Sequence, residues 1–425
     1  MKLAARPVSL ALVLVCVSAT MVLGIAAKAE CSNGDWGDQR QYRHLCYSDI
    51  VPLLGTEQLQ RPQGARLPFI NPCITVPGQN CDEYPVLTMY FIRVAAWFSG
   101  SNYQSFYFVN AALLFACALV IGFFLYLMAG ARALLFALAP TLLVYGTMNW
   151  DLFAVMFATL GLYYLFRRRD GTSGAMLGLG AAAKFYPVML AVPFIAQRLR
   201  ERRPDGAIRI AWATLGTFAL VNIPFLVASP TSWFRFFKFN GSRSPDFDSL
   251  WYIGCQHVRS VCSLSITKVN VLSVLLMLAA FVCVWGLRAL RFPDFPRWTL
   301  GFPLIVLFLL TNKVYSPQYG LWILPWFALA LPGLRGFIAF EIADVAVFVT
   351  RFGWFFARYD PTDVHLGWFE VAVLLRTAAL LWCLAIWVWR PHQPLRIETL
   401  MARRPAELPE PPPAEAGVTA EGAPA

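Results

Sequence analysis

The chain has 425 residues, of which 58% are hydrophobic and only 14% charged. A water-soluble fold with that balance could not cover its surface with polar side chains, so the composition asks for lipid as solvent. A formal charge of +11 would suit nucleic acid in a soluble protein, but here the arginines punctuate hydrophobic segments instead of gathering on one face. That pattern argues against a nucleic-acid partner and marks cytoplasmic turns.

The first apolar run, Ala11 to Ala27, follows Lys2 and Arg6 and precedes Ala27-Lys28-Ala29. Those flanks fit a cleaved signal peptide or a retained signal anchor, and the anchor is the expectation taken here. From an inside N-terminus, basic turns at Arg132, Arg167 to Arg169, Arg198 to Arg203, Arg288 with Arg291 and Arg297, Arg335 and Arg390 fall at every second turn. Spans are then expected near 7–27, 105–128, 133–149, 151–166, 172–186, 187–198, 208–228, 269–288, 299–312, 318–333, 337–356 and 368–389. The fold class is an all-α polytopic membrane protein with about 10–13 transmembrane helices and a large first extracytoplasmic loop. By segment, 1–27 is the N-terminal helix, 28–104 the loop with an interfacial helix after Pro85, 105–390 the membrane domain, and 391–425 a disordered cytoplasmic tail. Segment 187–198 would extend only about 18 Å at helical rise, against a hydrocarbon core of about 30 Å. Short central segments of this kind imply broken helices around an internal cavity.

Cysteines test the orientation independently. Cys31, Cys46, Cys73 and Cys81 share the first loop, Cys255 and Cys262 share another, and both loops fall outside, where bridges form. The local pairs Cys31 with Cys46, Cys73 with Cys81 and Cys255 with Cys262 are expected, although four cysteines allow three pairings.

Polar residues gather on that outward side. Asp49 sits where polar loop gives way to an apolar segment, the placement a carboxylate needs to take a proton from a sugar hydroxyl; with Ser48 it is also a good helix N-cap. Asp246 and Asp248, beside Arg243, fit either a divalent ion shared with phosphates or a solvated acidic turn. Lys184 and Lys313 stand at outward helix ends among Tyr, Asn and Gln, against the positive-inside trend, either snorkelling or offering a phosphate its counter-charge. Asn149 and Asp151 cap another outward hairpin, as helix cap or ligand contact. Glu341, Asp344 and Arg351 share a late apolar span, as an ion path or as an internally paired cluster. There is no P-loop, dinucleotide fingerprint or His-Glu-x-x-His site, so cytosolic nucleotide chemistry is not expected, and no cofactor and no metal ligand is assigned.

Several stretches together resemble the GT-C superfamily of polyprenyl-phosphate-sugar-dependent glycosyltransferases, in particular the actinobacterial group related to α-1,2-mannosyltransferases. They are Tyr47-Ser48-Asp49-Ile50, Glu83-Tyr84-Pro85-Val86-Leu87-Thr88, Asn149-Trp150-Asp151-Leu152, Gly178 through Pro187, and Asn312 through Tyr319. The resemblance implies a multi-pass enzyme of the plasma (inner) membrane, surrounded by membrane lipids and working on its extracytoplasmic face. Its donor would be a polyprenyl-phosphate sugar, with mannose the expected sugar, and its acceptor a lipid or glycan. Asp49 matches the catalytic carboxylate, acting as general base in an inverting displacement. Lys184, Lys313 and Arg243 would then hold the donor phosphate, and Tyr186, Tyr315, Gln318, Asn149, Asp151 and Glu83 would contact substrate. A lipid or solute transporter, or a non-catalytic envelope-assembly protein, would share the topology.

Overall fold

The computed structural model describes residues 8–60, 66–74, 81–360 and 364–403. These are helical, with no strand among the described residues. The fold opens with α1 (Leu10–Lys28), capped by Ser9, whose hydroxyl oxygen accepts the N–H of Leu12. The first loop holds the short helices α2 (Arg40–Arg43) and α3 (Ile50–Thr56) and ends in α4 (Val86–Ser99). Its apolar side buries Met89, Ile92 and Ala95, and it leaves Trp97 and Phe98 exposed.

The long α5 (Tyr103–Ala129) is followed by the pieces α6 (Leu134–Ala137) and α7 (Pro140–Tyr145), then α8 (Asp151–Phe166), α9 (Asp170–Ala183), α10 (Ala191–Arg200) and α11 (Pro204–Ala228). Next come α12 (Pro230–Ser242), α13 (Leu250–His257), α14 (Arg259–Cys262) and α15 (Ile266–Arg291). The chain closes with α16 (Gly301–Thr311), α17 (Gly320–Leu329), α18 (Arg335–Phe356), α19 (Leu366–Trp389) and α20 (Arg396–Arg403).

Among the described residues, five helical stretches are long and apolar enough to cross a membrane: Leu10–Cys31, Tyr103–Ala137, Pro204–Ala228, Ile266–Arg291 and Leu366–Trp389. The other expected spans form near their expected positions but as shorter helices, or, for α18, with Glu341, Asp344 and Arg351 interrupting the apolar run. Exposed Trp212, Leu220 and Val227 on α11, with Val274, Val282 and Leu290 on α15, give those helices lipid-facing sides.

Basic residues close one end of the bundle by satisfying helix carbonyls that would otherwise lack donors. Arg288 donates to the carbonyls of Trp387 and Arg390, each at 2.6 Å, at the end of α19. Arg132 reaches the carbonyls of Phe327 in the last turn of α17 and of Leu331 just beyond it, and Arg198 that of Leu165 at the end of α8. The opposite ends of α8, α9 and α17 carry Asn149, Lys184 and Tyr319.

The tightest crossing is α9 on α11. A Cβ on Gly178 would lie 2.6 Å from the Thr214 carbonyl oxygen and 2.8 Å from Thr217 Cβ, and one on Gly174 would strike the Ile210 carbonyl. Small residues one turn apart let the two backbones touch.

The three expected disulfides form: Cys31 with Cys46, Cys73 with Cys81, and Cys255 with Cys262. The expectation of a disordered tail from 391 is corrected as far as 403. There α20 packs on α5 and buries Leu395 and Ile397, and Glu398 gathers donors from Trp298 (3.2 Å), His392 (2.9 Å) and the Leu395 N–H (2.8 Å). A carboxylate with such distant partners cannot be recognised from local composition. The Pro-rich stretch beyond 403 lies outside the described residues, as do Lys2 and Arg6.

Candidate active site

A cleft of about 910 Å³ opens where the first loop, the 240–249 loop and the ends of α8, α9, α16, α17 and α18 converge. Asp49, Glu83, Asn149, Lys184, Tyr186, Arg243, Lys313 and Gln318 all line it. Residues spread over most of the chain therefore share one cavity.

Asp49 occupies the N-cap position of α3, yet its side chain makes no cap hydrogen bond. Its Oδ1 accepts from the Tyr47 hydroxyl at 2.7 Å, and its Oδ2 from Asn149 Nδ2 at 2.8 Å. The same Asn149 nitrogen donates to the Tyr84 hydroxyl oxygen at 2.8 Å, while Asn149 Oδ1 holds the Trp150 N–H at 2.7 Å. Both phenols are held in the protonated form, burial first and the Asp49 charge second pushing their pKa well above the ordinary value. The loop is stitched in place by the Asp49 N–H on the Met148 carbonyl (2.9 Å) and the Ser48 hydroxyl on that of Thr147 (2.8 Å). Beneath it the buried Lys28 donates to the Tyr47 carbonyl at 3.0 Å. Sequence reasoning passed over Lys28, because a lysine ending a signal anchor reads as an interfacial flank.

Lys184 follows α9 and pairs with Asp151 Oδ1 at 2.8 Å. Asp151 does not line the cleft; it is fully buried and also accepts from Trp322 Nε1 at 2.6 Å. Its expected contact with substrate is therefore corrected to a hold on Lys184 from behind. Trp322 lies stacked between Tyr186 (centroids 4.1 Å) and Tyr319 (4.0 Å), and Lys184 Nζ stands 4.9 Å from the Tyr319 centroid.

Lys313 donates to the Gly241 carbonyl at 3.0 Å; burial, then the nearby Arg243, lower its pKa. Arg243 lies 3.8 Å from Asp246. Asp246 also accepts from Ser316 at 2.9 Å and faces Arg351 at 3.4 Å. Behind it the buried Asp248 pairs with Arg351 and, at 3.4 Å, with Arg376. Arginines thus occupy both carboxylates of the Asp-x-Asp pair, and no metal-ligating cluster is found among the described residues.

One further expectation changes, and one pair of alternatives is narrowed. Tyr315 lies off the cleft, buried under the Arg376 guanidinium 3.7 Å from its ring centroid, because its backbone turns the ring into the bundle. Glu341 and Asp344 pair internally: Asp344 with Arg376 (3.3 Å) and the Thr141 hydroxyl (2.9 Å), and Glu341 with the Thr141 N–H (2.8 Å). Arg351, which sequence reasoning grouped with those acids, lines the cleft instead.

A helical fold with a carboxylate and several cations around a large cleft suits a membrane transferase. The family model described as Glycosyltransferase family 87 matches residues 83–317, more than half of the chain, and the chain belongs to that family. The sequence resemblance to GT-C membrane glycosyltransferases stands at that level. The match spans Glu83 to Lys313 of the cleft; Asp49 and Gln318 lie outside it. Among solved structures, the chain is similar to ArnT from Cupriavidus metallidurans bound to undecaprenyl phosphate, at 13% identity and a TM-score of 0.46, over 94% of this chain and 79% of that one. Comparison with curated proteins gives no match.

Proposed function

We propose that this glycosyltransferase moves a sugar, mannose by the sequence resemblance, from a polyprenyl-phosphate donor to a lipid or glycan acceptor on the extracytoplasmic face of the plasma membrane. The observation that carries the proposal is the placement of Asp49. Its carboxylate is oriented by two fixed donors at the edge of a cleft that Lys184, Arg243 and Lys313 also line.

In the proposed reaction an acceptor hydroxyl attacks the anomeric carbon while Asp49 takes its proton. The bond from that carbon to the phosphate oxygen breaks, and polyprenyl phosphate leaves with the electron pair. In-line displacement inverts the anomeric centre. Charge growing on the departing phosphate meets cations already in position, so little reorganisation is needed as the bond breaks. Lys184 is suited to this because Asp151 fixes its direction while its Nζ borders the cleft. Glu83, Asn149, Tyr186 and Gln318 stand where they can orient substrate hydroxyls. The basic turns at the far end of the bundle and the disulfides near the cleft both support an outward-facing site. The contacts of Glu341 and Asp344 with Thr141 and Arg376 support a structural role for these acids.

The test is reconstitution of the full chain with polyprenyl-phosphate mannose and lipid-linked glycan acceptors, comparing wild type with Asp49→Asn. Transfer by wild type and its loss by about 10²–10⁴-fold in the variant is the expected result. Wild-type transfer rates in Asp49→Asn would remove the base from its role.

A further inference from the structure

Tyr42, Tyr47, Phe352 and Phe355 form one aromatic wall of the cleft. Tyr42 lies 5.9 Å from Tyr47 and 6.0 Å from Phe352, close to parallel with both, and the Phe355 ring meets it edge-on at 5.4 Å. Phe247 extends the wall, 5.4 Å from Phe355. These rings come from the first loop, the 240–249 loop and the last turns of α18, so three distant stretches bring aromatic surface to one polar cavity. The Cys31–Cys46 bridge closes the loop that carries Tyr42.

The two walls differ in charge. On the aromatic side Arg351 stands over Phe247 and Phe355, but its guanidinium is matched by Asp246 and Asp248. On the other side Lys184, though paired with Asp151 from behind, borders the cleft over Tyr319, and Lys313 has, among the described residues, a carbonyl as its one hydrogen-bond partner and no carboxylate. Asp49 stands between them. One oxygen is tied to Tyr47, a ring of the aromatic wall, and the other to Asn149, which shares its nitrogen with Tyr84 beside Lys184.

An anionic group entering the cleft is drawn to the cationic wall. The aromatic wall suits a ligand with an uncharged apolar face and polar groups at its rim, which describes a sugar ring. We infer that this wall is the acceptor subsite and that it takes an uncharged glycosyl ring, presenting a hydroxyl to Asp49. The inference rests on the reading of Asp49 as the base. It adds the acceptor's chemical class: a glycoside, not a lipid recognised through a charged headgroup.

The experiment uses the full chain in detergent, octyl mannoside as probe acceptor, and the variants Phe355→Ala, Phe355→Tyr and Tyr42→Ala. Binding is read by saturation transfer to the sugar protons, and transfer by product formation from polyprenyl-phosphate mannose. Loss of one aromatic face is expected to raise the octyl mannoside Kd and acceptor KM about threefold to tenfold, with donor KM within about twofold of wild type. Phe355→Tyr, which keeps the face, is expected to restore wild-type values. Binding that depends on Phe355 but leads to no transfer would overturn the transferase reading and leave the subsite standing. Transfer with acceptor KM unchanged in both alanine variants, or with donor KM raised equally, would overturn the subsite alone.

Discussion

The pairing of Asp151 with Lys184 offers the sharpest test of how the cleft is built. Asp151 is fully buried, the Lys184 side chain is 15% exposed, and the two meet at 2.8 Å. Removing one member of a buried ion pair costs about 3–5 kcal/mol, because the other is left uncompensated. In Asp151→Asn the orphan is Lys184, which can draw water from the cleft, and the amide oxygen still accepts from Trp322; about 3 kcal/mol is expected. In Lys184→Met the orphan is a carboxylate with no access to water and one remaining donor, so about 4–5 kcal/mol is expected. The double variant should cost less than the sum of the two, with a coupling of at least about 2 kcal/mol. Denaturant unfolding of the four proteins in mixed micelles measures this, and donor KM should rise in Asp151→Asn as Lys184 loses its orientation. Losses that add within about 0.5 kcal/mol would show that the pair does not hold Lys184 in place.

Further predictions follow from other contacts. Lys28→Met keeps the side-chain stem but leaves the Tyr47 carbonyl without its donor; kcat should fall by about tenfold to a hundredfold with donor KM unchanged, measured by steady-state transfer. Gly178→Val forces a branched side chain against the Thr214 carbonyl and should cost about 1–3 kcal/mol in the same unfolding assay. In the first loop, Glu57 is buried and accepts the N–H of Asp82 at 2.8 Å, yet burial outweighs that bond and pushes its pKa up to about 8 from an ordinary 4.5. The folded state therefore holds this proton more tightly than the unfolded chain does. The resulting stability is complete below about pH 4.5 and is lost as pH rises through 8, a slope that Glu57→Gln should abolish in melts recorded between pH 6 and 9.

Helix positions were legible because apolar runs and basic turns repeat, and these depend only on local sequence. The number of long spans was not. Segments such as 187–198 and 318–333 are apolar because protein surrounds them, and burial in protein leaves the same composition as burial in lipid. Site residues were found where an ionisable group stood at an outward helix end, as with Asp49, Lys184 and Lys313. Tyr315 and Asp151 were misplaced because the local backbone direction, not position along the chain, decides whether a side chain meets the cavity or the core. Lys28, Arg351 and the aromatic wall carry no local signal; their meaning lies in partners tens to hundreds of residues away. The paired acids of α18 show the same limit, since a proton path and a structural ion pair have identical spacing.

The glycine contact between α9 and α11 bears on how Lys184 is held. Backbone lies directly on backbone there, so the strut that ends in Lys184 has no side-chain cushion to slide upon. On the other flank of the cleft α12 has Ser232 as its one buried residue and is held far more lightly. Pinned in this way, α9 gives Lys184 a stationary anvil at the edge of the cleft.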